Sequence, residues 1–312
     1  MKRDDNTTKT ITHLSLCSGY EGIGLGLRRI FPGLREIAYV EREGFAAANL
    51  VAKMEAGELD AAPVFTDVKT FPYRKFRGLV DILSGGFPCQ PFSAAGQRKG
   101  VEDPRHLFPY IANGIRECRP NIVFLENVEG IISAKTSEGE SVLQYVLRTL
   151  EDLDYQATAG VFSAAEVGAP HQRKRVFILG YAGSSEPSGI PSEQREKVSE
   201  IRESSEELAD SKRGRRGEKK NSRVQPIFKK SFIFSGAREV DEFNEWPSKP
   251  TQKQYDWEEP RTTPQSKLGR TVDGYSSQVD RLRLLGNGVV PQVAAKAFVV
   301  LMNRILTKRD EK

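Results

Sequence analysis

The sequence has few of the residues that build disulfide frameworks or metal sites. Only three cysteines (Cys17, Cys89 and Cys118) and three histidines occur among 312 residues, and no CxxC spacing is present. An odd, sparse set of cysteines excludes a disulfide scaffold and argues against a zinc site. We therefore predict no metal and a reducing, cytoplasmic setting in which one thiol can serve as a nucleophile.

Long uncharged apolar runs are also lacking. No stretch approaches the ~18 residues that a membrane-spanning helix needs, and residues 1–6 hold no apolar segment typical of a secretory signal. Hydrophobic residues make up 38% and charged residues 29% of the chain, which is ordinary for a globular protein. We expect no membrane partner. The net charge of +5 permits nucleic acid as a partner without requiring it.

Short apolar runs alternate with helical patterns through the first 180 residues. Apolar residues recur at helical spacing over 142–150 and again over 293–305. Strands that alternate with helices predict an α/β fold, with a mostly parallel sheet and helices on both faces. The amphipathic C-terminal helix is expected to pack on that sheet. The predicted strands cover residues 11–17, 37–41, 80–84, 121–125 and 176–179.

The composition changes after Tyr181. Residues 186–210 hold eight acids and three bases, whereas residues 211–230 hold nine bases and one acid. A solvated or disordered insert is one interpretation of this region, and aromatic residues after Phe228 favour a second half that folds. We predict one α/β domain, made of residues 1–181 and 276–312, that is interrupted by a partly disordered region at 182–275.

A glycine-rich turn follows the first predicted strand. Gly19, Gly22 and two further glycines lie there, and Glu41 ends the second predicted strand. Glycines let the backbone approach a ligand, and an acid at the end of the next strand can accept hydrogen bonds from a ribose diol. Together they indicate a nucleoside-containing cofactor. The spacing is not a clean GxGxxG, so a plain tight turn stays an alternative.

The segment Pro88-Cys89-Gln90-Pro91 is more specific. It comes directly after a buried strand, and its prolines hold the thiol at the carboxyl end of that strand, where ligands collect in α/β sheets. Cysteine is a strong nucleophile even when little of it is ionised. We predict that Cys89 is the nucleophile and that Cys17 and Cys118 are not.

Three further groups complete the pattern. Glu126 follows the next apolar strand, where burial can raise the pKa of its carboxyl and let it share a proton with a ring nitrogen. Arg173 and Arg175 are two residues apart, so on extended chain they point the same way and can orient a base carbonyl or a phosphate. Asn287 precedes the last helix and can cap it or bind a cofactor. The alternative for Glu126 is a capping acid, and the alternative for Arg173 and Arg175 is a solvated basic edge.

This ordered set of motifs resembles the DNA cytosine 5-methyltransferase family over residues 11–181 and 281–306. The resemblance implies a Rossmann-like methyltransferase fold that uses S-adenosylmethionine, with a smaller target-recognition domain inserted near the C-terminus. It implies that Cys89 attacks carbon 6 of a cytosine flipped out of duplex DNA, while Glu126 protonates ring nitrogen 3 and Arg175, with Arg173, orients the base. The methyl group would pass to carbon 5.

The resemblance also implies binding residues and shows departures from the family pattern. Ser15 stands in place of the usual acid, Glu21 in place of a glycine and His171 in place of a glutamine. The implied cofactor contacts are Cys17, Gly19, Gly22, Glu41, Asp67, Val68, Asn287 and Val289. The implied DNA contacts are Gln90, Ser93, Arg98 and Arg105.

Two other functions stay open at the level of sequence. The same chemistry can act on RNA, although the basic block at 211–230 favours duplex DNA. A non-catalytic DNA-binding module is the other alternative, and the intact set of Cys89, Glu126 and Arg175 argues against it. We expect a monomer that works on double-stranded DNA, with a restriction endonuclease as a partner in the cell but not in direct contact.

Overall fold

The computed structural model describes residues 10–88, 107–136, 138–183 and 276–310. Within these residues, seven strands form one sheet that is flanked by six α-helices. The strands are β1 (Ile11–Leu16), β2 (Leu34–Val40), β3 (Val64–Phe65), β4 (Ile82–Gly86), β5 (Ile122–Val128), β6 (Gln156–Phe162) and β7 (Arg175–Tyr181). The helices are α1 (Gly22–Ile30), α2 (Gly44–Glu55), α3 (Phe108–Cys118), α4 (Val142–Glu151), α5 (Ser276–Asn287) and α6 (Pro291–Asp310).

The strand order determines where a ligand can bind. The sheet runs β3-β2-β1-β4-β5-β7-β6. The strands from β3 to β5 are parallel, and β7 is antiparallel to both of its neighbours, so it alone runs in the opposite direction. The order reverses between β1 and β4, and the crevice outside the carboxyl ends of such strands is the usual ligand site of open α/β sheets. The predicted α/β fold, mostly parallel and Rossmann-like, is confirmed.

Two apolar layers cover the sheet. Helices α1 and α6 pack on one face, and α3 and α4 pack on the other. Strand β1 supplies both layers, because Leu14 and Leu16 face α3 and α4 while Ile11 faces α1 and α6. Phe298 of α6 is fully buried, and its ring lies 5.3 Å from that of Phe124 on β5. The last helix therefore belongs to the same core as the N-terminal strands.

One segment passes a length-and-composition test for a membrane span. Arg283–Thr307 is long and apolar enough, and a core helix of a soluble protein passes the same test. In this chain Phe298, Leu301 and Met302 have no exposed surface, since they pack against α1, β6 and β7. The apolar character of α6 is thus explained by its place in the core.

The sequence predicted five of the seven strands and gave no prediction for helices α2 and α3. Strands β1, β2, β4, β5 and β7 and helices α4 and α6 lie where the apolar patterns placed them, within a few residues. Strand β5 extends to Val128, so Glu126 lies inside it rather than after it. Strands β3 and β6 were missed because β3 has two residues and β6 is rich in alanine, threonine and glycine. Residues 184–275 lie outside the described residues, so the inserted recognition domain and its boundaries stay a prediction.

Candidate active site

A cavity of about 400 Å³ opens at the carboxyl ends of β1, β2, β4 and β5. This is the crevice at which the strand order reverses, and its size lies in the range of small-molecule sites. One end is lined by Gly19, Gly22 and Glu41. The other end is lined by Glu126 and Arg175. The cavity therefore joins the residues predicted for cofactor binding to those predicted for the chemistry.

The turn at residues 18–22, here called the cofactor turn, depends on its two glycines. Gly19 has φ +55°, which favours glycine, and its N–H donates to Glu41 Oε2 at 2.8 Å. At Gly22 a Cβ would lie 2.2 Å from the carbonyl oxygen of Val289. A side chain at Gly22 would thus displace the segment that leads into α6, so this glycine allows the two ends of the fold to meet.

Glu41 is fixed by backbone hydrogen bonds before any ligand arrives. Its Oε2 accepts from Gly19 and its Oε1 accepts from the N–H of Glu43 at 2.7 Å. The carboxylate is 8% exposed and faces the cavity. Each carboxylate oxygen can accept a further hydrogen bond. Glu41 therefore suits a diol such as that of a ribose, and a nucleoside cofactor fits this end of the cavity.

Two of the predicted cofactor residues lie beside the cavity rather than in its wall. Asp67 and Val68 follow β3. Asp67 Oδ1 accepts from the N–H of Lys69 at 2.9 Å, and Val68 is buried in the core that α3 and α4 cover. The predicted contacts of Asp67 and Val68 with an adenine stay a prediction. Asn287 and Val289 do line the cavity.

The thiols of the described residues are poor nucleophiles. Burial, together with the carboxylates of Glu41 and Asp67, raises the pKa of Cys17 to about 12. Burial likewise raises the pKa of Cys118 to about 12, and Cys118 is fully buried. A thiol that stays protonated at neutral pH does not attack. The interpretation of Cys17 and Cys118 as structural is thus supported, which leaves Cys89 as the candidate nucleophile.

The chain enters the predicted nucleophile segment at the mouth of the cavity. Pro88 is exposed and lines the cavity, and Cys89 follows it outside the described residues. The carbonyl oxygen of Phe87 accepts from Asn127 Nδ2 at 2.9 Å. Asn127 is 1% exposed, so this hydrogen bond fixes the point from which the segment departs. The four predicted DNA contacts also lie outside the described residues: Gln90, Ser93, Arg98 and Arg105.

Glu126 and Arg175 form an ion pair beside that point. Arg175 Nε lies 2.9 Å from Glu126 Oε1, and the Glu126 side chain is almost fully buried. Burial raises the pKa of Glu126 to about 7, although Arg175 and Arg173 oppose the rise. The direction agrees with the prediction from the sequence. A carboxyl group with this pKa can donate or accept a proton at neutral pH.

Arg173 lies close to the pair but has a different partner. Its φ of +31° shows that it is not on extended chain, so the prediction that Arg173 and Arg175 point the same way from one extended segment is wrong. Arg173 Nη2 donates to the carbonyl oxygen of Gly286 at 2.8 Å and to that of Gly288. Arg173 thus holds the segment between α5 and α6 against the site. A direct contact of Arg173 with the base stays a prediction.

Sequence reasoning assigned no role to Asn127 or Tyr20. The Tyr20 hydroxyl donates to the carbonyl oxygen of Val289, and Lys53 Nζ donates to the Tyr20 carbonyl oxygen at 3.1 Å. A Cβ at Gly288 would lie 1.7 Å from the Tyr20 ring, so Gly288 leaves room for it. Asn127 lay within the Glu-Asn-Val motif, and Tyr20 lay within the glycine-rich turn. Their partners are backbone carbonyls, which leave no mark in a sequence.

Comparisons with known proteins show the family of this chain. The model of the family described as C-5 cytosine-specific DNA methylase matches residues 11–269. The Type II methyltransferase M.PspPI of Psychrobacter sp. is 31% identical over 175 residues, which cover 55% of this chain and 40% of that protein. The Type II methyltransferase M.HhaI of Haemophilus parahaemolyticus is 34% identical over 173 residues, or 55% of this chain and 50% of that protein. Among solved structures, DNMT2 of Spodoptera frugiperda has a TM-score of 0.45 and 21% identity, covering 55% of this chain and 50% of that one.

The matched part thus spans half or less of the length of these relatives. The family model, by contrast, matches well over half of this chain. Members of this family take their methyl group from S-adenosylmethionine. The chain belongs to the C-5 cytosine-specific DNA methylase family.

Proposed function

We propose that this protein methylates carbon 5 of a cytosine in duplex DNA. The observation that carries the proposal is the buried pair of Glu126 and Arg175, which lies in the same cavity as Glu41 and next to the chain that enters Cys89. The cavity also fits S-adenosylmethionine, since Glu41 presents fixed acceptors to a ribose and Gly22 lets the Val289 segment form a wall of the cavity beside the cofactor turn. When bound, that cofactor supplies an electrophilic methyl group.

The reaction we propose begins with the flipped cytosine. The Cys89 thiolate forms a bond to carbon 6, and neutral Glu126 gives its proton to ring nitrogen 3, so that no anion builds up on the ring. Arg175 binds the carbonyl oxygen of the cytosine and so orients the base. The ion pair with Glu126 already holds the Arg175 side chain in place. Carbon 5 then has enamine character and takes the methyl group. Transfer of the methyl group would leave S-adenosylhomocysteine. Loss of the carbon 5 proton to water, cleavage of the bond between Cys89 and carbon 6, and return of the ring nitrogen 3 proton to Glu126 would then give 5-methylcytosine and the Cys89 thiolate.

We also propose the division of labour along the chain. Residues 182–275 read the DNA sequence, while residues 1–181 and 276–312 bind the cofactor and carry out the chemistry. Gln90, Ser93, Arg98 and Arg105 contact the DNA around the flipped base. The protein acts as a monomer in the cytoplasm, with a restriction endonuclease of the same specificity as a separate protein.

The test uses cells that produce the protein and DNA that traps the adduct. Base-resolution methylation sequencing of those cells is expected to show methylated cytosines in one sequence context, and Cys89→Ser is expected to abolish them. Duplex DNA with 5-fluorocytosine in that context is expected to form a covalent complex with the wild type, because fluorine cannot leave as the proton does. Cys118→Ser is the matched control, since Cys118 is fully buried away from the cavity and should keep the complex.

The outcomes separate the alternatives. Methylation of RNA but not of DNA would move the proposal to an RNA substrate. Cofactor binding without methylation or adduct on either nucleic acid would leave a non-catalytic module. Full activity of Cys89→Ser would contradict the proposed nucleophile.

A further inference from the structure

A fully buried polar cluster lies beneath the cofactor turn, on the face of the sheet that α1 and α6 cover. It contains His13 and Ser15 of β1, Glu36 of β2, Ser84 of β4 and Glu21 from the turn itself. Each of these side chains belongs to a residue that is at most 3% exposed. Polar groups are buried in this way only where they are paired, because leaving water is unfavourable for them. None of them takes part in the proposed chemistry.

Glu21 joins the cluster to the cofactor turn. It has φ +70° and ψ +34°, a left-handed conformation that is unusual for a residue other than glycine. Its Oε2 accepts from the Ser15 hydroxyl at 2.7 Å, and its N–H donates to the carbonyl oxygen of Ser18 at 2.8 Å. A strained backbone of this kind persists only where the surroundings hold it in place. The hydrogen bond from Ser15 is the contact that holds its side chain to β1.

The fit of the Glu21 carboxylate under the helix is tight. A Cβ at Gly24, one turn into α1, would lie 2.1 Å from Glu21 Oε1. The carboxylate therefore occupies the space between the first turn of α1 and the sheet. Because Glu21 is bonded both to the strand below it and to the turn above it, movement of the carboxylate has to move the turn.

We propose that Glu21 is a positioning residue for the cofactor turn: anchored by Ser15, it holds the turn in the conformation in which the Gly19 N–H meets Glu41. The Gly19 hydrogen bond fixes the acceptor that faces the cavity, so loss of the anchor weakens cofactor binding without removing any group that contacts the cofactor. The inference rests on the proposed function in one respect, namely that the ligand of this cavity is S-adenosylmethionine.

The charges around Glu21 give the proposal a specific signature. Although burial opposes it, neighbouring His13 and Arg28 hold the pKa of Glu36 well below its usual range, so Glu36 stays ionised. Glu21 has no cation of its own, and burial raises its pKa to about 7. His13 Nδ1 lies between the two carboxylates, 3.7 Å from Glu36 Oε1 and 3.9 Å from Glu21 Oε1. The Glu21 carboxyl therefore gains or loses its proton near neutral pH.

Loss of that proton places a second buried negative charge beside Glu36. Repulsion between the two carboxylates then pushes Glu21 away from its place under the turn. The sign follows from the raised pKa: the anchor is intact below about pH 7 and weakens as the pH rises above it. The charged and titratable groups that face Glu21 are His13 on β1 and Glu36 and Tyr39 on β2. Arg28 on α1 and Asp60 before β3 face Glu36 in turn.

The first test measures binding of S-adenosylhomocysteine by calorimetry between about pH 6 and about pH 8.5. We expect the affinity of the wild type to fall by up to about tenfold per pH unit above about pH 7, because one proton is linked to binding. Glu21→Gln keeps an acceptor for Ser15 but cannot ionise, so its affinity should be nearly constant over this range. Glu55→Gln is the control, since Glu55 is exposed on α2 and should keep the wild-type profile.

The second test uses hydrogen exchange and needs no ligand. Glu21→Gly removes the anchor but suits the left-handed backbone, so this variant is expected to fold. Its amides at residues 18–24 should exchange faster than those of the wild type, and its affinity for S-adenosylhomocysteine should be low at every pH. Unchanged exchange in this segment, or the same pH profile for the wild type and Glu21→Gln, would overturn the proposal.

Two further results have distinct meanings. A wild type that binds no S-adenosylhomocysteine at any pH would contradict the proposed function, and the exchange measurement would still decide the role of Glu21. Atoms of His13, Glu21 and Glu36 suitable as metal ligands lie within 4.8 Å of one another. The purified protein can therefore be analysed for divalent metal before and after treatment with a chelator. If it holds one equivalent of metal, and removal of that metal also removes the affinity for S-adenosylhomocysteine, the proposed anchor is overturned.

Discussion

Replacing Glu126 with glutamine should make the protein more resistant to unfolding at high pH while it strongly lowers kcat. The carboxyl group is 6% exposed, and burial raises its pKa from 4.5 to about 7. An acid whose pKa is raised on folding destabilises the folded state as the pH rises from its unfolded pKa to its folded pKa. The destabilisation is then constant above the folded pKa. Glutamine has the same shape and carries no charge at any pH.

The size of the effect follows from the two pKa values. The rise in the pKa of Glu126 from 4.5 to about 7 corresponds to about 3 kcal/mol at high pH. Because about pH 5 lies only slightly above the unfolded pKa, only about 1 kcal/mol of the destabilisation is present there. The advantage of Glu126→Gln over the wild type in free energy of unfolding should therefore grow by about 2 to 3 kcal/mol between about pH 5 and about pH 8. The pH dependence is the useful quantity, since loss of the contact with Arg175 adds a term that is nearly constant with pH.

The assay is urea unfolding at the two pH values, with methyl transfer measured on the same preparations. Loss of the proton donor should lower kcat by about 10²- to 10⁴-fold. Glu129→Gln, on the exposed turn after β5, is the matched control and should show no growth of the difference. If the difference between Glu126→Gln and the wild type stays constant from pH 5 to pH 8, the carboxyl is not perturbed by burial and its assignment as the proton donor fails.

Three other substitutions test the rest of the site. Gly22→Ala places a methyl group 2.2 Å from the Val289 carbonyl oxygen, so it should destabilise the fold by about 1 to 3 kcal/mol in urea and weaken S-adenosylhomocysteine binding at least tenfold; unchanged binding would contradict the close contact. Arg173→Met leaves the carbonyl groups of Gly286 and Gly288 without their donor, and we expect a loss of about 1 to 3 kcal/mol by urea unfolding together with weaker cofactor binding. A variant that loses methyl transfer but keeps wild-type stability and cofactor affinity would instead favour the predicted contact of Arg173 with the base. Deletion of residues 185–217 should leave the melting temperature unchanged within about 2 °C, and insoluble protein would show that this segment packs into the core.

The parts of the site that the sequence predicted are those with a strong local pattern. Glu126 and Glu41 each follow a run of apolar residues, and parallel strands bring such positions to one edge of a sheet. The raised pKa of Glu126 followed from the same reasoning, because a carboxyl at the end of a buried strand loses solvent. The nucleophile was predicted from its motif, and no described residue competes with it.

The parts that the sequence could not predict depend on contacts between distant residues. Arg173 was expected to share the orientation of Arg175, but the positive φ at Arg173 turns it toward carbonyls more than a hundred residues away. Ser15 and Glu21 were noted as two separate departures from the family pattern, yet the structure joins them in one hydrogen bond. The carboxyl group lies on the turn at Glu21 instead of on the strand at Ser15, and the two side chains contact each other. This contact can be recognised only once the backbones of the strand and of the turn are known.

The hydrogen bond between Tyr20 and Val289 connects residues that are 269 positions apart. During synthesis on the ribosome, the first wall of the cavity is made long before the second, and residues 182–275 emerge in between. The site cannot close until α6 has left the exit tunnel. A nascent chain of this protein therefore contains Cys89 and residues 182–275 while its cavity still lacks the wall that Val289 forms, so a ligand can be held there only after α6 has been translated.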